Sequence, residues 1–207
     1  NNKFLEAIIS AVNTLDDSYL CIQGPPGSGK TYTAKHIIGD LLAKGKRIGV
    51  SSNSHKAIIN LMKGVAEYIE ERGIIAKLIK VGGDSSDPIF NMPNVEFSQN
   101  AKSCFGELDQ SSLCVGGTAW LFSNPLLSAS GDEEQNEAFD YLFIDEAGQV
   151  SIANLIGMSR SSKNIILMGD QMQLGQPIQG THPDESGQSI LEYLLQDQAT
   201  IPADIGV

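Results

Sequence analysis

Three short stretches hold side chains whose types and spacing could do chemistry. Residues 24–31 read GPPGSGKT and fit G-x-x-x-x-G-K-[ST], with Gly24, Gly29, Lys30 and Thr31 at the fixed positions. Glycines in such a loop let successive backbone N–H groups turn inward around phosphate oxygens. A helix opening directly after the loop adds the partial positive charge of its N-terminus. The run Gly24, Pro25, Pro26, Gly27, Ser28, Gly29, Lys30 and Thr31, with Tyr32 just after it, is therefore assigned to nucleotide binding. Lys30 is expected to reach the β- and γ-phosphates, and the Thr31 hydroxyl to bind Mg²⁺. A chance match in a chain of this length is on the order of one per cent, so ATP with Mg²⁺ is the expected ligand.

The second stretch is FIDEAGQ, residues 143–149, in which an apolar run ends in Asp145 and Glu146. Two adjacent charges at the end of a buried strand are costly unless something pairs them. Asp145 is expected to hold the Mg²⁺ shell, and Glu146 to orient and deprotonate water as general base. The alternative for Glu146 is a structural carboxylate capping a helix that starts near residue 150. The third stretch, GDQMQL at 169–174, follows another apolar run. Asp170 joins the nucleotide-binding set, and Gln173 is expected to bond a γ-phosphate oxygen and sense its loss. A plain polar turn is the alternative there.

These groups need elements to hold them. Short apolar, β-rich runs recur at 18–23, 47–52, 77–83, 113–119, 141–147 and 164–170. Such runs, bounded by glycine or polar residues, suit strands buried on both faces. Helix-like stretches lie between them at 29–44, 54–72, 150–160 and 187–196, the second with a 3.6-residue stripe that stops before Gly73. Strand alternating with helix predicts an α/β fold: a mostly parallel sheet of about six or more strands with helices on both faces. Residues 84–112 carry two prolines and weak periodicity and read as a loop with a short helix over 98–109. GDEEQNE at 131–137 reads as a solvated acidic loop, and the final TIPADIGV as a cut rather than a finish.

Composition sets outer limits. The chain has 207 residues, 41% hydrophobic and 19% charged, which suits one ordinary domain with its own core. Nothing approaches the ~18 consecutive apolar residues of a membrane span. NNKFLEAIIS lacks the basic and apolar regions of a signal peptide. Cys21, Cys104 and Cys114 are scattered, with no CxxC pair, and read as small hydrophobes in a reduced, cytoplasmic protein. His36, His55 and His182 share no ligand spacing and read as surface or helix-face residues. A net charge of −11 counts against a self-sufficient nucleic-acid binder, which usually shows a basic face.

Taken together, the stretches resemble a known family. GPPGSGKT resembles helicase motif I, FIDEAGQ motif II and GDQMQLGQP motif III of superfamily 1 helicases, in the branch containing the nonsense-mediated-decay helicase. SSNSHKAIINL (51–61) is similar to motif Ia and VGGTAW (115–120) to motif Ic, and the likeness covers most of residues 18–180 in family order. More narrowly, IQGPPGSGKTYTAK, SNSHKAI, VGGTAW and DEAGQVSIANL resemble bacterial fusion proteins in which a RecB-like nuclease domain precedes such a helicase. The resemblance implies a single RecA-like motor domain, 1A, over residues 1–207, moving on single-stranded DNA or RNA at the expense of ATP. It also implies that Ser52, Asn53, Ser54, His55 and Thr118 touch the nucleic-acid backbone, as hydroxyls, amides and N–H groups can do without reading sequence. A helix N-cap is the other reading of SSNSH. Trp120 could stack on a base, but after an apolar strand it is expected in the core.

Two departures from the family matter. A second RecA-like domain, which supplies arginines to the ATP site, does not follow motif III in this sequence, and residues 84–112 are too short for the family's small accessory β-barrel; no stretch resembles the nuclease domain either. The chain therefore reads as a fragment expected to hydrolyse ATP slowly alone. A protein-remodelling AAA+ ATPase would explain GPPGSGKT and the acid pair, and suits the acidity, but it predicts a helical lid. A non-catalytic nucleotide-binding module would be favoured by loss of Lys30 or Glu146, and both are present.

Overall fold

The computed structural model describes residues 2–25, 27–127, 137–170, 188–195, 198, 200–202, 205 and 206. The apolar runs become strands: β1 Tyr19–Gln23, β2 Arg47–Ser51, β3 Lys77–Val81, β4 Val95–Ser98, β5 Leu113–Gly117, β6 Phe139–Ile144 and β7 Ser162–Gly169. They form one seven-stranded sheet in the order β1-β7-β6-β2-β5-β3-β4, with every pair parallel.

Successive side chains along these strands feed two different cores, which is why the runs are continuously apolar rather than alternating. In β6, Tyr141 and Phe143 face one way while Leu142 and Ile144 face the other. The first face packs against α1 (Asn2–Asn13), α2 (Lys30–Ala43) and α3 (His55–Arg72). The second packs against α4 (Ala101–Phe105), α5 (Ala119–Phe122), α6 (Ile152–Ser159) and α7 (Ile190–Leu195). The result is the expected three-layer α/β architecture.

Local chemistry sets the helix ends near the site. The Ser54 hydroxyl accepts from the Ala57 amide at 3.4 Å and starts α3. Gly73, at φ 64°, ends it with its amide donating to the carbonyls of Ile69 and Glu70. α2 opens directly on Gly29, whose φ of 90° is a left-handed conformation that a side chain would strain.

Several expectations are corrected. Residues 84–112 hold a seventh strand, β4, and a helix limited to Ala101–Phe105, not a loop with a helix over 98–109. α1 was not anticipated, although Ile8 and Val12, one turn apart, are buried in the first core. Separately from those corrections, the Cys21 amide donates to the Ile205 carbonyl at 2.9 Å and Gly206 makes an isolated parallel bridge to Cys21. The acidic tip at 131–137 lies outside the described residues except for its last one, Glu137.

An all-parallel sheet gathers the carboxyl ends of its strands on one edge, where ligands of such folds bind. The ends of β1, β7 and β6 lie side by side there, followed by those of β2, β5 and β3. β2 is paired on one side to β6 and on the other to β5.

Candidate functional site

The phosphate loop leaves the end of β1 and is tied to its neighbour at once: the Gly24 amide donates to the Gly169 carbonyl, at the end of β7, at 3.1 Å. Gly27 and Gly29 have φ of 78° and 90°, so the turn depends on residues without a side chain. The Lys30 ammonium folds back onto the carbonyl oxygens of Gly24 and Pro25. Thr31 and Tyr32 are exposed, and the Tyr32 ring lies 4.1 Å from that of His36. Pro26 lies outside the described residues.

The ends of β6 and β7 are pressed together. A Cβ at Gly148 would come within 2.7 Å of the Asp170 carbonyl, and one at Gly169 within 3.1 Å of the Ala147 and Gly148 amides. Only glycines allow this approach, which places the Asp145–Glu146 pair beside buried Asp170. Gln173 lies outside the described residues.

Asp145 is anchored by its amide, which donates to the Ser51 carbonyl at 2.8 Å, and its Oδ1 accepts from the Glu146 amide at 2.9 Å. Burial pushes its carboxyl above the ordinary range; the Glu146 amide opposes that shift, the Glu146 charge adds to it, and Lys30 opposes it. A desolvated carboxylate beside a second acid and a lysine is a site that gains from a bound cation. No cluster of three or more His, Cys, Asp or Glu side chains suited to a metal exists among the described residues.

Glu146 sits at φ 56°, a left-handed conformation that is uncommon for a residue with a side chain. Its Oε2 accepts from the Ser52 hydroxyl at 2.9 Å. It does not cap the following helix; Ser151 does that, accepting from the Asn154 amide. The capping alternative for Glu146 is thereby set aside.

The residues expected to face the nucleic acid divide. Ser52 is buried, with its hydroxyl on Glu146, and the Asn53 side-chain amide donates to the Gln149 carbonyl at 2.6 Å. The end of β2 is thus stitched to the acid loop twice. Ser54 is the helix cap, the second of the two readings of SSNSH. His55 is exposed at the start of α3, and Thr118 is half-exposed at the start of α5. Trp120 is not in the core: it is 90% exposed, because the turn into α5 reverses its direction while Leu121 and Phe122 take the buried side. Lys80, on β3, was not singled out beforehand; it is fully buried and bonds the His55 ring. Its only signal was a lysine inside the apolar run KLIKVGG.

The cysteines are all free and buried, Cys104 included, and burial pushes the Cys21 and Cys114 thiols up to about 12. No helix among the described residues is long and apolar enough to cross a membrane.

Comparison with known proteins gives three kinds of match. A family model described as an AAA domain matches residues 8–178. The DNA replication ATP-dependent helicase/nuclease JHS1 of Arabidopsis thaliana is 31% identical over 197 residues, which is 92% of this chain and 13% of that protein. The helicase/nuclease DNA2 of Saccharomyces cerevisiae is 28% identical over 161 residues, 76% of this chain and 10% of that protein. Among solved structures, a nuclease-deletion mutant of the Type ISP restriction-modification enzyme LlaGI, in complex with a DNA substrate mimic, superposes with a TM-score of 0.54 at 16% identity. That match covers 79% of this chain and 16% of the other, and bears on the fold alone.

Proposed function

Since the chain belongs to the AAA domain family, we propose that it is the ATP-binding and ATP-hydrolysing half of a superfamily 1 helicase or translocase, coupling hydrolysis to movement on single-stranded nucleic acid. The observation that carries this is the double stitch at the sheet edge. Ser52 and Asn53, in the segment similar to motif Ia, bond Glu146 and the Gln149 carbonyl in the acid loop. A strand-facing segment and a hydrolytic carboxylate therefore share one rigid tip. The names of the helicase/nuclease relatives support the same reading.

In this reading residues 24–32 and Asp170 bind ATP, and Gln173 reads the γ-phosphate. Lys30 leaves its resting carbonyl partners for the β- and γ-phosphates. Glu146 takes a proton from the attacking water, and Ser52 holds the carboxylate until it does so. Thr31 and Asp145 would hold Mg²⁺, whose charge would offset that developing on the phosphates. His55, Ser54, Thr118 and backbone groups of residues 52–53 contact the strand, DNA or RNA. A second RecA-like domain in the full-length protein completes both sites, and a RecB-like nuclease domain accompanies it, as in the bacterial fusions; the nonsense-mediated-decay helicase marks the wider branch. The buried free thiols suit a cytoplasmic setting.

Linkage tests the shared tip. In the full-length protein, a non-hydrolysable ATP analogue should change the affinity for a fluorescent single-stranded oligonucleotide at least about fivefold, the low end of typical coupling energies. Equal affinity with and without the analogue would count against a motor and favour an AAA+-type ATPase acting on proteins.

A further inference from the structure

Lys80 is an unusual residue to find at the centre of a sheet. Its side chain is fully buried, and none of the ion pairs among the described residues includes it. Its Nζ lies 2.9 Å from His55 Nδ1, 2.8 Å from the Val81 carbonyl oxygen and 2.9 Å from that of Gly82. The cation also lies under the start of α3, the end of the helix that repels it. A buried charge without a counter-ion costs several kcal/mol on general grounds, so the fold keeps Lys80 against its own stability.

Three partners account for all three N–H donors of an ammonium. Two are carbonyls, which can only accept. The third is Nδ1, which accepts from an ammonium only when the ring carries its proton on Nε2. The ring is further confined by the Gly82–Gly83 turn, where both glycines have positive φ and a Cβ at Gly83 would come within 3.1 Å of Nδ1. Nε2 has no hydrogen-bond partner among the described residues, and His55 is exposed. Lys80 itself has no donor left for a ligand and can act only through the ring.

We propose that Lys80 is a positioning residue of the nucleic-acid contact: it locks His55 in the Nε2–H tautomer and so presents that N–H, backed by a buried positive charge, to a backbone phosphate. This rests on the reading of His55 as a strand contact. The titration behaviour agrees: burial lowers Lys80 to about 8, which leaves it an ammonium at neutral pH. Burial, and then the Lys80 charge, push His55 below its ordinary value, so the ring stays neutral.

Imidazole ¹⁵N NMR of this chain at pH 7, titrated with oligothymidylate, tests both layers separately. A single Nε2–H tautomer for free His55, with the Nε2 signal moving as oligonucleotide is added, is the expected result. Lys80→Met and Lys80→Gln should each mix the tautomers and weaken the oligonucleotide about fivefold, the worth of one hydrogen bond. His55→Ala should weaken it as much, and adding Lys80→Met to His55→Ala should cost nothing further. An Nδ1–H tautomer or a mixture in the unaltered chain would overturn the role of Lys80 without any variant having to fold. A locked tautomer whose signal ignores the oligonucleotide would instead overturn the strand contact, and with it the purpose assigned to the lock.

Discussion

In the proposed function, Glu146 and Lys30 make different demands on the same nucleotide. There Lys30 is assigned to the phosphates and Glu146 to the water, so Lys30→Ala should abolish ATP binding measured with a fluorescent analogue, and turnover with it; unchanged turnover would remove residues 24–31 from the reaction. Glu146 handles the water, so Glu146→Gln should leave that binding intact while hydrolysis falls about 10²-fold or more, the range for a lost general base. Loss of binding in Glu146→Gln would instead make the carboxylate structural, a support for the left-handed turn at φ 56°. The glycine loop and the adjacent acid pair were legible from residue types, because each leaves few other uses for itself. The Ser52–Glu146 bond was not, since a hydroxyl one residue past a strand has many possible partners and only the sheet order chooses among them.

Periodic burial made α3 readable, and continuous apolar runs made six of the strands so, while α1 went unread. In α3, Ile58, Leu61, Met62, Val65 and Ile69 all point one way, and no single residue decides the outcome. β4 escaped because it is only four residues long, with only two of the four buried, and lies between prolines and a short helix. Trp120 was misplaced for a related reason. Large aromatic residues after an apolar strand are usually core, but α5 spans only four residues and its buried side is taken by Leu121 and Phe122. As the one tryptophan of the chain it is a clean reporter. Its native emission should match that of solvent-exposed indole and barely move on unfolding, and Trp120→Ala should change stability by less than about 0.5 kcal/mol, as exposed sites do. A blue-shifted native emission would return it to the core.

Alkaline stability reports on the assembled domain. A thiol raised from 9.0 to about 12 keeps its proton in the folded state and loses it in the unfolded chain above pH 9, so its contribution is whole below pH 9 and drains as pH rises. Cys21 and Cys114 act this way, and Cys104 shifts in the same direction. Lys80, lowered to about 8, works in reverse, favouring the folded state increasingly between pH 8 and its ordinary 10.5. Each group is worth about 1.4 kcal/mol per pH unit while its two states differ, so the thiols outweigh the lysine. Urea midpoints under reducing conditions should fall from pH 9 to pH 10, and a rise would mean that the thiols are not buried as described. The central claim concerns coupling, and it rests on two halves of one sheet edge, ATP chemistry at β1, β7 and β6 and strand contact at β2, β5 and β3. Steady-state ATPase of the full-length protein, with and without single-stranded DNA and RNA and beside this chain alone, tests it most directly. Strand-stimulated turnover by the full-length protein, with this chain slower by about 10³ or more for want of a charge-stabilising arginine, is the predicted result; turnover indifferent to either strand, or rapid stimulated turnover by this chain alone, would contradict it.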